Sequence, residues 1–153
     1  MNKNREGYRG YVGSRSYSGI DFPQQIQNFI IRNYCQKYKL HYLLSATEYK
    51  MPGCYMILKE ILETLPNIQG IVLFSIFMLP KDALKRQSIY ERLFESKSSL
   101  HAALEEITIH KEEDVESVED LLRIHQITHT DESISILLSA VMNIKEEQTA
   151  VSF

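Results

Sequence analysis

Short apolar runs in this chain alternate with longer stretches in which apolar side chains recur every three or four positions. The runs at 8–13, 41–45, 70–75 and 100–104 read as strands; residues 107–109 read as a further short strand or a continuation of the fourth. The run at 70–75, Gly-Ile-Val-Leu-Phe-Ser, is apolar on both faces, as a central parallel strand should be. Helical periods lie between the runs. Asp21 and Pro23 open a helix carrying Ile26, Phe29, Ile30 and Tyr34 and ending near Tyr38. Pro52-Gly53 opens a second, with Ile57, Leu58, Ile61, Leu62 and Leu65 as its buried stripe, and Pro66-Asn67 stops it. Pro80-Lys81-Asp82 starts a third, bearing Leu84, Ile89 and Leu93 and ending near Ser96. Asp114 or Ser117 caps a fourth that runs to about His125, and Asp131 starts a last one with Ile134, Leu137, Leu138 and Val141 on one side.

Strand and helix in alternation predict a parallel sheet covered on both faces. The expected fold is α/β: a three-layer, flavodoxin-like domain over residues 8–144, with a mostly parallel sheet of four to five strands in the order 2-1-3-4. Residues 1–7 and 145–153 are expected to be loose tails. Right-handed crossovers bring the carboxyl ends of the strands to one edge, and ligands bind there at the switch point between the first and third strands. Ser14–Arg15 and Ser75–Met78 should therefore flank one crevice, with Ser45, Glu48 and Glu105 on neighbouring loops.

Composition narrows the function classes. The chain has 153 residues, 44% hydrophobic and 24% charged, with a formal net charge of −3, which fits one soluble globular domain. The basic residues are spread along the chain, so no nucleic-acid partner is expected. Cys35 and Cys54 make neither a disulfide framework nor a zinc knuckle. The first nine residues hold no apolar signal segment, and the run at 68–80 is broken by Gln69, Gly70 and Ser75 and too short to span a bilayer. A reduced, cytoplasmic location away from membranes is the expectation.

The candidate chemistry gathers at the strand edge. Ser14, Arg15 and Ser16 supply hydroxyls, backbone N–H groups and a guanidinium suited to phosphate or carboxylate, or they form only a polar loop. The loop is neither a P-loop nor Gly-x-Gly-x-x-Gly. Ser45, Ser75 and Phe77 would complete the ligand site. Phe77 to Pro80 could line an apolar wall or sit in the core. Glu48 could act as a general acid or base or hold a hydroxyl, against a plain solvated carboxylate; Glu105 and Glu106 repeat the idea more weakly. Cys54, placed in the first turn of the second helix, could be a nucleophile or a small hydrophobe, and Cys35 is structural. His125 and His129 have the spacing of helical metal ligands but lack a third, so no metal or cofactor is expected. The charges from Lys111 to Asp120 read as a solvated helix face. The last helix could pack across the sheet or mediate a homodimer.

Residues 11–106 resemble the catalytic domain of the serine recombinases, the resolvase and invertase family. That family also begins with a Gly-Tyr-type strand, an Arg/Ser loop and a glutamine-bearing helix. Its catalytic pattern, Tyr-x-Arg-x-Ser, is broken here: Gly13 stands at the arginine's place and Arg15 at the serine's, with Ser14 and Ser16 on either side. Its Leu-Asp-Arg-x-x-Arg segment corresponds to Ser75-Ile76-Phe77-Met78-Leu79-Pro80, which has no arginine. The resemblance implies the fold, and strand cleavage is not expected. Nearly the whole chain is also similar to the small "sporadic carbohydrate cluster" family, through Arg9-Gly10-Tyr11-Val12-Gly13-Ser14-Arg15, Tyr42-Leu43-Leu44-Ser45-Ala46-Thr47-Glu48-Tyr49, Met51-Pro52-Gly53-Cys54-Tyr55-Met56 and the segment from Gly70 to Pro80. That resemblance implies a pathway, bacterial surface-carbohydrate biosynthesis; taken with the Arg15 loop at the strand edge, the expectation is a cytoplasmic protein that binds an acidic ligand such as a sugar phosphate or nucleotide sugar. The alternative is a non-catalytic, recombinase-like interaction or scaffold protein.

Overall fold

The computed structural model describes residues 4–16, 21–130 and 139–144. The contacts cluster into two compact units, Met1–Glu116 and Ser117–Phe153. The first holds the sheet. Its elements are β1 (Tyr8–Gly13), α1 (Gln24–Lys37), β2 (Tyr42–Glu48), α2 (Met56–Glu63), β3 (Gly70–Leu73), α3 (Ala83–Glu95), β4 (Ser99–Ala102) and β5 (Ile107–Ile109), with 3-10 turns at Leu65–Asn67 and Ile76–Met78. A further helix, α4 (Glu112–Thr130), crosses the boundary between the units, and residues 139–144 are helical. The start of the expected last helix, with Ile134, Leu137 and Leu138, lies outside the described residues, as do residues 1–3 and 145–153.

The sheet has the order β2-β1-β3-β4-β5. The first four strands are parallel, and β5 returns antiparallel to β4 as a separate strand. Every residue of β3 is buried, as its continuous apolar run requires. β2 runs three residues past the expected 41–45, and a register shift between Arg9 and Tyr11 lets the longer strand follow β1. Gly10 sits at that shift because a Cβ there would collide with the Ser45 side chain. α1 packs against β1 and β2, while α2 and α3 lie side by side against β2 and β4.

Two helices bury a different stripe from the one their apolar residues suggest. In α1, Ile26 and Phe29 are exposed and the buried positions are Gln27, Ile31, Tyr34 and Cys35. In α3, Leu84 is 80% exposed and the buried positions are Arg86, Ile89, Tyr90 and Leu93. Each stripe keeps helical spacing but is headed by a polar residue. Asp82 caps α3, its carboxylate accepting from the Leu84 N–H at 2.9 Å. α4 begins before both expected caps, and Asp114 caps it from within its first turn by accepting the backbone N–H groups of His110 and Lys111. It also continues five residues beyond His125.

Residues 4–7 are not a loose tail. Arg5 donates to the carbonyls of Leu65 and Ser96, both at 2.7 Å, and to Ser98 Oγ at 2.6 Å, so one guanidinium closes the ends of two helical segments. Backbone bonds from Glu6 to Asn67 and from Gln69 to Gly7 add to this. No helix among the described residues is long and apolar enough to cross a membrane.

At the amino-terminal half of the sheet, His101 is 7% exposed. Its Nδ1 lies 2.8 Å from Tyr34 Oη and 3.2 Å from Thr108 Oγ1, and its Nε2 lies 3.0 Å from Ser99 Oγ. Burial, helped by the nearby His110, pushes the imidazole down to about 4, so it is neutral at physiological pH.

Candidate functional site

The loops at the carboxyl edge are fixed by four polar side chains before any ligand is considered. Gln27, fully buried, faces the end of β1 like a strand partner. Its Oε1 accepts from Gly13 N at 3.1 Å, and its Nε2 donates to Gly13 O at 2.6 Å and Phe22 O at 2.8 Å. Arg86 donates to the carbonyls of Pro80 and Lys81 at 2.9 and 2.8 Å, which sets the segment entering α3. Glu105 accepts from Ser75 Oγ at 2.5 Å and from Ile76 N at 2.9 Å, which holds the turn after β3. Glu48 reaches the start of α2.

Glu48 is 2% exposed. Its Oε2 accepts from Tyr11 Oη at 2.7 Å and Leu58 N at 3.1 Å, and its Oε1 from Tyr49 N at 3.0 Å and Ile57 N at 3.2 Å. A carboxylate at the first free N–H groups of a helix satisfies both the hydrogen-bonding need and the dipole there. Burial is the largest single influence and pushes its pKa up, but the bonds from Tyr11, Leu58, Ile57 and Tyr49 outweigh it and hold the carboxyl below its ordinary value. Both Glu48 oxygens are used in joining β1, β2 and α2.

Cys54 neighbours this carboxylate. α2 begins only at Met56, so Cys54 lies in the preceding turn, and its thiol faces Glu48 Oε1 at 3.7 Å. His41 precedes β2 at its far end, roughly 20 Å away by strand rise. Cys35 is buried, and that burial pushes its thiol up to about 11. Ser45 sits mid-strand rather than at the edge, its hydroxyl 2.7 Å from Tyr42 Oη. Ser75 is buried behind the loop, where it also accepts from Phe77 N at 3.3 Å.

The residues that do converge are Arg15, Ser16 and Phe77. With Tyr55, Lys81 and Lys85 they surround a cavity of about 370 Å³ at the switch point between β1 and β3. Arg15 stacks over the Tyr55 ring, its guanidinium carbon 4.8 Å from the centroid. Ser16 donates to Asp21, and Phe22, just before α1, meets Phe74, just past β3, edge-on at 4.9 Å. Ser14 is exposed and does not line the cavity. The carboxylate there, Asp82, is engaged at the start of α3. Lys81 and Lys85, four apart across that helix start, were not singled out from the sequence; their spacing is the signal that could have found them.

The chemistry of this arrangement is anion binding. Three cationic side chains meet there, and the nearby carboxylates and serines are occupied in structural bonds. No group of three metal-ligating side chains occurs among the described residues. The His125–His129 pair lies on α4, where the His129 side chain is outside the described set.

Two solved structures are similar over nearly their whole length. A resolvase family site-specific recombinase from Streptococcus pneumoniae is 10% identical, with a TM-score of 0.54, covering 90% of this chain and 99% of that one. The N-terminal catalytic domain of TP901-1 integrase is 10% identical, with a TM-score of 0.51, covering 81% and 98%. This chain shares their fold. At that identity the likeness concerns the fold alone. No protein-family model and no curated protein sequence matches the chain, so the resemblance to the sporadic carbohydrate cluster family rests on the sequence runs quoted above.

Replacing Gln27 with alanine should leave both polar groups of the Gly13 peptide unit without partners in a buried setting. The expected loss of stability is about 2 kcal/mol, measured by urea unfolding, with faster hydrogen exchange at Gly13. A loss within experimental error would show that the clamp is dispensable.

Proposed function

We propose that this chain binds a phosphorylated or nucleotide-linked sugar at the carboxyl edge of the sheet, as a cytoplasmic component of bacterial surface-carbohydrate biosynthesis. The observation that carries the reading is the cavity bounded by Arg15, Lys81 and Lys85, placed where open α/β sheets take their ligands. Arg15 pairs with the phosphate, its guanidinium aligned by Tyr55, and Phe77 offers an apolar wall. DNA strand cleavage is not part of the reading. Ser16 donates to Asp21, Ser75 to Glu105, Ser14 lies off the cavity, and no arginine follows β3 before α3.

Calorimetry with a panel of sugar phosphates and nucleotide sugars tests it. Arg15→Ala should weaken binding by roughly tenfold or more, the loss of one charge-assisted contact. Equal binding by both proteins, or none at millimolar ligand, would overturn the assignment.

A second reading, a recombinase-like interaction protein, is favoured by one observation. Ile124, Ile127, Val141, Met142 and Ile144 of the second unit are all about half exposed or more. Sedimentation analysis of the full chain and of Ile124→Asp addresses it. A dimer lost in the variant supports this reading, and a monomer in both counts against it.

A further inference from the structure

A second cavity, of about 390 Å³, lies between α2 and α3. It shares Gly53, Tyr55, Pro80 and Lys85 with the cationic cavity, so the two adjoin along one edge. Their chemistry differs. The α2–α3 groove has an apolar floor of Leu58, Leu62 and Ile89, each less than a tenth exposed, and Met56 at its side. Lys59, Lys85 and Arg92 rim it, long stems that cover apolar surface while their charges stay in water. No acidic residue lines it, and Ser88 and Tyr55 supply the side-chain hydroxyls among the described lining residues.

We propose that the ligand of the cationic cavity is an ester of phosphate with an apolar alcohol, whose chain lies in the α2–α3 groove. This rests on the anion-binding reading above and extends it: a phosphodiester carrying a sugar on one side and an apolar alcohol on the other meets both requirements. The phosphate sits between Arg15, Lys81 and Lys85. Lys85 and Tyr55 stand at the junction, and the chain runs over Leu58, Leu62 and Ile89. A nucleobase is a poorer occupant of the groove, because its polar edge would face an apolar floor with little to bond. The cationic rim also disfavours an acidic chain end and favours the anionic head near Lys85.

The test is calorimetry on the full chain with ethyl, butyl, hexyl and octyl phosphate, using the free alcohols as controls. Affinity should rise by roughly fourfold for each methylene that enters the groove, the effect of removing that much apolar surface from water. Met56→Ser, a change at an exposed position, should reduce the gain with chain length and leave ethyl phosphate binding unaltered. Arg15→Ala should weaken every phosphate. Uniform affinity along the series, weakened throughout by Arg15→Ala, would overturn the groove assignment while the anion site stands. A chain-length gain untouched by Met56→Ser would place the chain elsewhere and also overturn it. No binding by any phosphate would remove the anion site itself.

Discussion

Replacing Glu48 with alanine is expected to destabilise the sheet-bearing unit by about 4 kcal/mol, since a charged acceptor is removed from several donors at a largely buried junction. Tyr11 Oη and Leu58 N are buried with it and would lose their bonds. The effect spreads because Glu48 joins three elements: Tyr11 comes from β1, Glu48 ends β2, and Ile57 and Leu58 open α2. In urea the midpoint should fall by roughly 2 M for a chain of this size. Glu48→Gln keeps an acceptor but loses the charge at the helix start, and should fall between wild type and alanine. A loss below about 1 kcal/mol for the alanine variant would sink the claim that this carboxylate organises the edge. Because the Glu48 carboxyl is held below its ordinary value in the folded chain, its contribution is complete above the ordinary carboxylate range. It is lost as pH falls through the depressed native value.

Stability should also fall by about 3 kcal/mol between pH 6.5 and pH 4 through His101 alone. The native imidazole titrates near 4 because it is buried, whereas the unfolded one titrates near its ordinary 6.5. Below 6.5 the unfolded chain takes up a proton that the folded chain refuses, so the equilibrium moves toward unfolding. The loss levels off once both forms are protonated, below about 4. His101→Gln should remove this component of the pH dependence while leaving the Glu48 component at lower pH. Unfolding curves at several pH values for both proteins separate the two. A wild-type stability flat from pH 6.5 to 4.5 would show that His101 is not held neutral.

The strands were readable because each one solves a local problem with local residues. Gly70–Leu73 is apolar on both faces, and no other element suits such a run. β1 has the predicted bounds, and the order of the first four strands follows from right-handed crossovers. In α1 and α3 the expected stripes share Tyr34, Ile89 and Leu93 with the buried set but miss its polar members and include the exposed Ile26, Phe29 and Leu84. Hydrophobic period gives no weight to a buried glutamine or arginine. Gln27 is inside because Gly13 needs a partner, and Arg86 because the carbonyls of Pro80 and Lys81 do. For the same reason the structural bonds of Glu48 and Ser75 were not legible. A polar residue at a strand end looks alike on paper whether it faces solvent or a helix start.

The sequence by itself determined the α/β architecture, the sheet order and the edge at which polar loops gather, because alternation and period are properties of neighbouring residues. Only the tertiary structure decided which of those polar groups are spent. Their partners lie 14 residues away for Gln27 and 30 for Glu105, and a buried donor or acceptor takes whichever partner the packed chain brings within hydrogen-bond reach. The cavity lining of Arg15, Ser16 and Phe77 with Lys81 and Lys85 is a set that exists only once β1, β3 and α3 stand together.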